Sequence, residues 1–104
     1  MSRPSPRPAE YSREAKLDIR DAARWLQRTY SPAVAQQFLR AVRECVEHIS
    51  LHPEAHELVY GLVRKAIVQG VSYSVFYFDE DNRVTVIAVM HWRRDPWDWQ
   101  VRVR

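Results

Sequence analysis

From Val71 to Met90 the chain carries one pattern that restricts its fold more than any other. Val71, Tyr73, Val75 and Tyr77 alternate with Ser72, Ser74, Phe76 and Phe78. A period of two in β-branched and aromatic residues fits a pleated strand and not a helix. The run Asp79-Glu80-Asp81-Asn82 is too polar to bury and favours chain reversal, so it predicts a hairpin turn. Val84 to Met90 then returns as a nearly continuous apolar run, which predicts a strand covered on both faces. Directly behind it stand His91, Trp92, Arg93, Arg94, Asp95, Pro96, Trp97 and Trp99. A rigid strand that ends in imidazole, guanidinium and indole groups is the natural place to look for function.

What precedes the hairpin reads as helix. Residues 1–8 carry Pro4, Pro6 and Pro8 among Ser and Arg, and predict a flexible lead-in with solvated arginines. Ala9 to Tyr11 predicts a short edge strand. Ser12 is placed as an N-cap for a helix from about Arg13 to Thr29, with Ala15, Ile19, Ala22, Ala23, Leu26 and Tyr30 on one face. Its charges, Asp18 among them, read as a solvated face, with a weak pairing of Asp21 and Arg24. Ser31 and Pro32 restart the helical pattern, because proline at the first helical position loses no hydrogen bond. Ala35, Phe38, Val42, Cys45 and Ile49 continue it until His52-Pro53. Two helices joined by so short a turn form an antiparallel hairpin. Leu58 to Gln69 reads as one long strand with a cation on each face, Arg64 on one and Lys65 on the other, and Gly70 turns it into the next. With 104 residues, the expectation is a single domain over residues 9–104. Its class is α+β: an N-terminal two-helix hairpin packed on a small antiparallel sheet of three to four strands.

Composition excludes several chemistries. A single cysteine, Cys45, cannot form an internal disulfide, and its place in an apolar helical pattern predicts an inert thiol. Residues 1–10 hold no apolar leader and no run reaches membrane-spanning length, so the expected setting is cytoplasmic, away from membranes. The net charge of +3 is too small to argue for nucleic acid by itself. His48, His52 and His56 would align on a continuous helix, but Pro53 interrupts it, so neither a metal site nor a cofactor is expected. A histidine can serve as acid or base near neutrality, so His91 could act beside Arg64 and Arg94; alternatively it donates to a backbone carbonyl or to Asp95 and locks the strand exit. Trp97 and Trp99 lie two apart and cannot both point inward in the same way, so one caps the sheet as core and the other anchors a partner. Arg102 and Arg104 read as a solvated tail.

The order helix, helix, strands resembles the RelE/ParE superfamily of bacterial toxins from toxin–antitoxin pairs. The matching stretches are Ala15-x-x-Asp18-Ile19, Ser31-Pro32-x-x-Ala35-x-x-Phe38, Pro53, Val63-Arg64, Tyr73-Ser74-Val75-Phe76-Tyr77 and the closing Ala88-Val89-Met90-His91-x-x-Arg94-Asp95-Pro96-x-x-Trp99. The closing motif is the most specific, and it is similar to ParE-type sequences. The resemblance implies a toxin acting on DNA gyrase, held inactive in a hetero-oligomer with a cognate antitoxin, with Arg93, Arg94, Trp97 and Trp99 as target-binding residues. The alternative that it implies is a RelE-like endoribonuclease cutting mRNA on the ribosome, with Arg64, His91 and Arg94 as catalytic residues. A third is a non-toxic antitoxin-binding module of the same fold. Trp92 follows His91 where a tyrosine is common in nuclease members, and the chain has only two lysines, Lys16 and Lys65.

Overall fold

The structure is a computed structural model and describes residues 6–104. Strand β1 (Ala9–Tyr11) leads into helices α1 (Arg13–Thr29) and α2 (Pro32–Leu51). Strands β2 (Glu57–Tyr60), β3 (Val63–Ile67), β4 (Tyr73–Glu80) and β5 (Arg83–His91) follow. A short helix α3 (Trp97–Gln100) and a 3-10 turn (Val101–Val103) close the chain.

Both helix starts form as their sequences require. The Ser12 hydroxyl accepts from the Ala15 N–H and the Ser31 hydroxyl from the Val34 N–H, satisfying donors that the first turn leaves free. The hairpin lays Ala15 and Leu26 of α1, with Phe38, Val42, Val46 and Ile49 of α2, onto Val75, Tyr77, Val84, Val86 and Val89 of the sheet. Tyr30, expected on the buried face, is instead the exposed C-cap of α1 and meets Trp25 edge-on at 6.0 Å.

The sheet has five strands in the order β1-β5-β4-β3-β2, and β1 runs parallel to β5. It is therefore larger than three to four strands and mixed rather than wholly antiparallel. Two local causes account for the difference. The stretch read as one strand, Leu58 to Gln69, is broken at Gly61, whose φ of +55° suits glycine and reverses the chain into a β2–β3 hairpin. At the other edge, Ala9–Tyr11 pairs with Val84–Val86, 75 residues away in sequence.

A bulge explains the unbroken apolar run of β5. Phe76 pairs with Ala88 but Tyr77 pairs with Val86, so Ile87 is an extra residue. Val84, Val86 and Val89 join the core under the helices, while Ile87, Ala88 and Met90 join a second core on the opposite face. Trp99 roofs that second core, stacking on Phe76 at 4.3 Å and meeting Tyr60 edge-on at 5.9 Å. Of the lead-in expected over residues 1–8, residues 1–5 lie outside the described residues, while Arg7 and Pro8 contact the sheet. Arg7 pairs with Asp79 and donates to the Glu80 carbonyl at 2.7 Å, and the Pro8 carbonyl accepts from the Val84 N–H. Arg3 lies outside the described residues. No helix among the described residues is long and apolar enough to cross a membrane.

Candidate functional site

The end of β5 and the turn behind it gather most of the chemistry-bearing residues, and proline and aspartate fix their geometry. Asp95 accepts the Trp97 N–H on its side chain at 2.9 Å and the Asp98 N–H on its carbonyl at 2.9 Å. Pro96 follows with its fixed φ and opens α3. Arg94 pairs with Asp98 at 2.9 Å on the solvent side, so its charge is anchored but open to solvent.

His91 locks this exit, in the opposite sense to the expected one. Its Nδ1 accepts the Arg93 N–H at 3.1 Å, and its carbonyl accepts the Arg94 N–H at 2.9 Å. The ring stands edge-on to Tyr73 at 5.3 Å. It does not donate to Asp95, because Asp95 already caps the next turn.

Arg64 lies far from this exit. It pairs with Tyr77 in register, whereas His91 pairs with Tyr73, four residues along β4 and one strand further across. With about 3.3 Å of rise per residue and about 4.8 Å between strands, their backbones stand roughly 16 Å apart. Arg64 shares the helix-side face with Ala66, and its guanidinium donates to the His56 carbonyl at 2.6 Å. Arg64, His91 and Arg94 are not brought together. Lys65 lies on the opposite face of β3. It lines a cavity of about 220 Å³ with Ser74, His91, Arg94, Trp99 and Gln100. Strand alternation already placed Lys65 opposite Arg64; only the identity of the exposed face was missing.

The tryptophans divide as their spacing requires. Trp99 is 5% exposed and belongs to the core, so it supports the surface and does not contribute to it. Trp97 is 50% exposed, with the Arg104 guanidinium 4.2 Å above its ring. Trp92, which sequence reasoning did not assign to the site, is 62% exposed with Arg93 4.9 Å over its ring. Two cation–aromatic platforms thus flank the turn, a pairing worth about 0.5–1 kcal/mol at exposed positions. The Trp92-Arg93 dipeptide was its sequence signal.

Arg102 is not a solvated tail, and Asp18 is not on a solvated face. Two Arg102 nitrogens bind the two Asp18 oxygens at 2.7 and 3.0 Å, and Arg102 also donates to the Ile87 carbonyl at 3.0 Å. Asp18 in turn accepts the Val89 N–H at 3.0 Å. Because β1 stops opposite Val86, the outer edge of β5 beyond that point lacks a strand, and this ion pair satisfies part of it. The hydrogen bonds that Arg102 donates to the Asp18 carboxylate push its guanidinium further up from its usual range. Asp21 pairs with Arg20, at 3.1 Å, in place of Arg24. Beside the clasp an open groove of about 700 Å³ runs between α1 and β5, with Asp18, Asp21, Trp25 and Tyr30 on one wall and His91, Arg93 and Arg94 on the other.

Cys45 is partly buried on α2, and burial pushes its thiol up to about 11, so it is no nucleophile at neutral pH.

The fold matches thirteen solved chains. One of them, from the chromosomal ParDE toxin–antitoxin system of P. aeruginosa, superposes with a TM-score of 0.73 at 11% identity, covering 82% of this chain and 95% of its own. At that identity the likeness shows the fold. No curated protein sequence matches the chain significantly. The family model for the ParE toxin of the type II toxin–antitoxin system parDE matches residues 9–96, from the first strand to the proline before α3. The chain belongs to the ParE toxin family of type II toxin–antitoxin systems.

Proposed function

We propose that this ParE-type toxin arrests growth by binding DNA gyrase through the turn behind β5, with Arg93, Arg94 and Trp97 as contacts and Trp92 beside them. Trp99 supports that surface from below. The observation that carries the reading is the pair of exposed cation–aromatic platforms on a turn held by His91, Asp95 and Pro96. Aromatic and arginine side chains fixed in place lose little entropy on binding, which is why they dominate protein interfaces. The separation of Arg64 from His91 speaks for this reading over RNA cleavage, since acid–base chemistry on a phosphodiester needs its groups within hydrogen-bond reach.

The groove between α1 and β5 suits a segment of a cognate antitoxin. Its apolar walls are Trp25 and Tyr30, and its acidic and basic sides oppose each other. A wrapped segment there would lie against the target surface and block it. The test is gyrase supercoiling and DNA cleavage with purified toxin, with and without the neighbouring gene product, set against mRNA integrity in arrested cells. Inhibited supercoiling with intact mRNA is the expected result. Cleaved mRNA with gyrase unaffected would reject the proposal.

A further inference from the structure

We propose that His48 and His56 form a two-histidine site for a divalent transition-metal ion, of the zinc and copper class, at the joint between α2 and the sheet. Pro53 does end the helix, but, contrary to the expectation from sequence, it does not separate these residues. The chain folds back through residues 53–56, and His48 Nδ1 and His56 Nε2 stand 3.3 Å apart. At that separation the two rings share a hydrogen bond in the metal-free protein. The same separation equals the edge of a tetrahedron around Zn²⁺ held at about 2.0–2.1 Å by each nitrogen, which is about 3.3–3.4 Å.

The pair is held from behind. The His56 carbonyl accepts from Arg64 at 2.6 Å, and the Pro53 carbonyl accepts from the hydroxyl of Tyr77, a fully buried residue, at 2.7 Å. The His56 ring also stands edge-on to Tyr77 at 6.2 Å. These contacts fix the backbone of the turn that carries His56, and with it the placing of its ring against His48.

A cavity of about 270 Å³ opens beside the pair, lined also by Glu44 and Cys45, and gives the ion room for water. Among the described residues no three His, Cys, Asp or Glu side chains converge on one point, so the protein supplies two nitrogens and solvent the other positions. Imidazole suits Zn²⁺, Ni²⁺ and above all Cu²⁺, whereas Mg²⁺ and Ca²⁺ take oxygen ligands. His52 lies beside His48, ring centroids 5.1 Å apart, but does not line the cavity, which makes it the natural control.

The test uses the full-length chain, stripped with chelator and titrated with ZnCl₂ and CuCl₂ by calorimetry. One equivalent should bind and raise the melting temperature, since an ion that binds only the folded form stabilises it by mass action. His48→Asn and His56→Asn should each weaken binding by about tenfold or more, as loss of even an outer-shell partner costs about 10–100-fold. His52→Asn should bind as wild type. The Cu²⁺ form should show two nitrogen couplings in its electron paramagnetic resonance spectrum, and one in either single variant. Absence of binding, or unchanged couplings in His48→Asn and His56→Asn, would overturn the proposal. Should one variant prove unstable, its melting temperature with and without metal still decides: a metal-dependent rise equal to that of wild type counts against the site.

Discussion

Arg102→Met cuts the tie between the C-terminal segment and α1 while keeping much of the side chain's length. Its cost follows from what the guanidinium holds: two charge-assisted bonds to Asp18 and one to the Ile87 carbonyl. Solvent-exposed ion pairs contribute about 0.2–1 kcal/mol, and breaking a fully buried one costs about 3–5 kcal/mol. Here the side chains are 20% and 15% exposed, so the pair lies between these limits but nearer the buried one. The expected loss is about 2–3 kcal/mol, because Asp18 stays behind with only the Val89 N–H, and Ile87 keeps only the Ser12 hydroxyl at 3.4 Å. In a domain of about 100 residues this lowers the melting temperature by roughly 10–20 °C. Asp18→Asn should cost less, about 1–2 kcal/mol, since an amide oxygen can still accept from Val89. Urea midpoints of the two single variants and the double variant give the coupling, expected at about 1–2 kcal/mol. A coupling below about 0.5 kcal/mol, within ordinary additivity, would refute the claim that the pair acts as a clasp.

Two further predictions concern the tryptophans and the core tyrosine. Trp99→Ala should cost about 3–5 kcal/mol in the urea midpoint because it empties the second core, whereas Trp97→Ala should stay within about 1 kcal/mol and lose growth arrest; equal arrest per folded molecule in both would leave Trp97 without a target role. Burial pushes the Tyr77 hydroxyl up to about 12, so the folded chain keeps a proton that the unfolded chain releases near pH 10. Its contribution is therefore complete below about pH 10 and is lost as pH rises towards 12, on the order of 2–3 kcal/mol. Tyr77→Phe should cost about 1 kcal/mol at pH 7 by orphaning the Pro53 carbonyl, and should flatten the stability decline between pH 10 and 12; an unchanged slope would place the alkaline transition elsewhere, with Cys45 next in order.

What could be read in advance follows the range of the interaction. Ser12, Ser31 and Pro32 act within three residues of themselves, and the helices begin where these residues place them. The β4–β5 hairpin is also local, and alternation revealed it. Gly61 was legible in principle, but a strand-like alternation on both sides of it masked the turn. The parallel pairing of β1 and the clasp between Asp18 and Arg102, 84 residues apart, leave no periodic trace. An isolated aspartate on a helix and an arginine near the chain end look solvated until a sheet edge is seen to need them. The bulge at Ile87 was hidden for a different reason: it makes the apolar run of β5 continuous, and continuity also describes a regular strand buried on both faces.

These interactions join the surface of the C-terminal turn to the rest of the fold. Trp97 and Arg104 lie in a segment whose buried attachments include Trp99 in the second core and Arg102 on Asp18. Removing residues 97–104 deletes these attachments along with the exposed groups, so truncation lowers stability and target contact together and cannot separate them. The ParE family match stops at Pro96, so α3 and its attachments lie beyond the matched residues. Asp18 serves both sides of the arrangement: one oxygen holds Val89 and Arg102, and the residue lines the groove proposed for the antitoxin. A basic side chain of a bound segment that competes for Asp18 would therefore weaken the hold on the C-terminal turn while the segment covers it. Point changes that keep the clasp, such as Trp97→Ala and Arg93→Ala, are consequently the variants in which loss of growth arrest can be assigned to contact with the target.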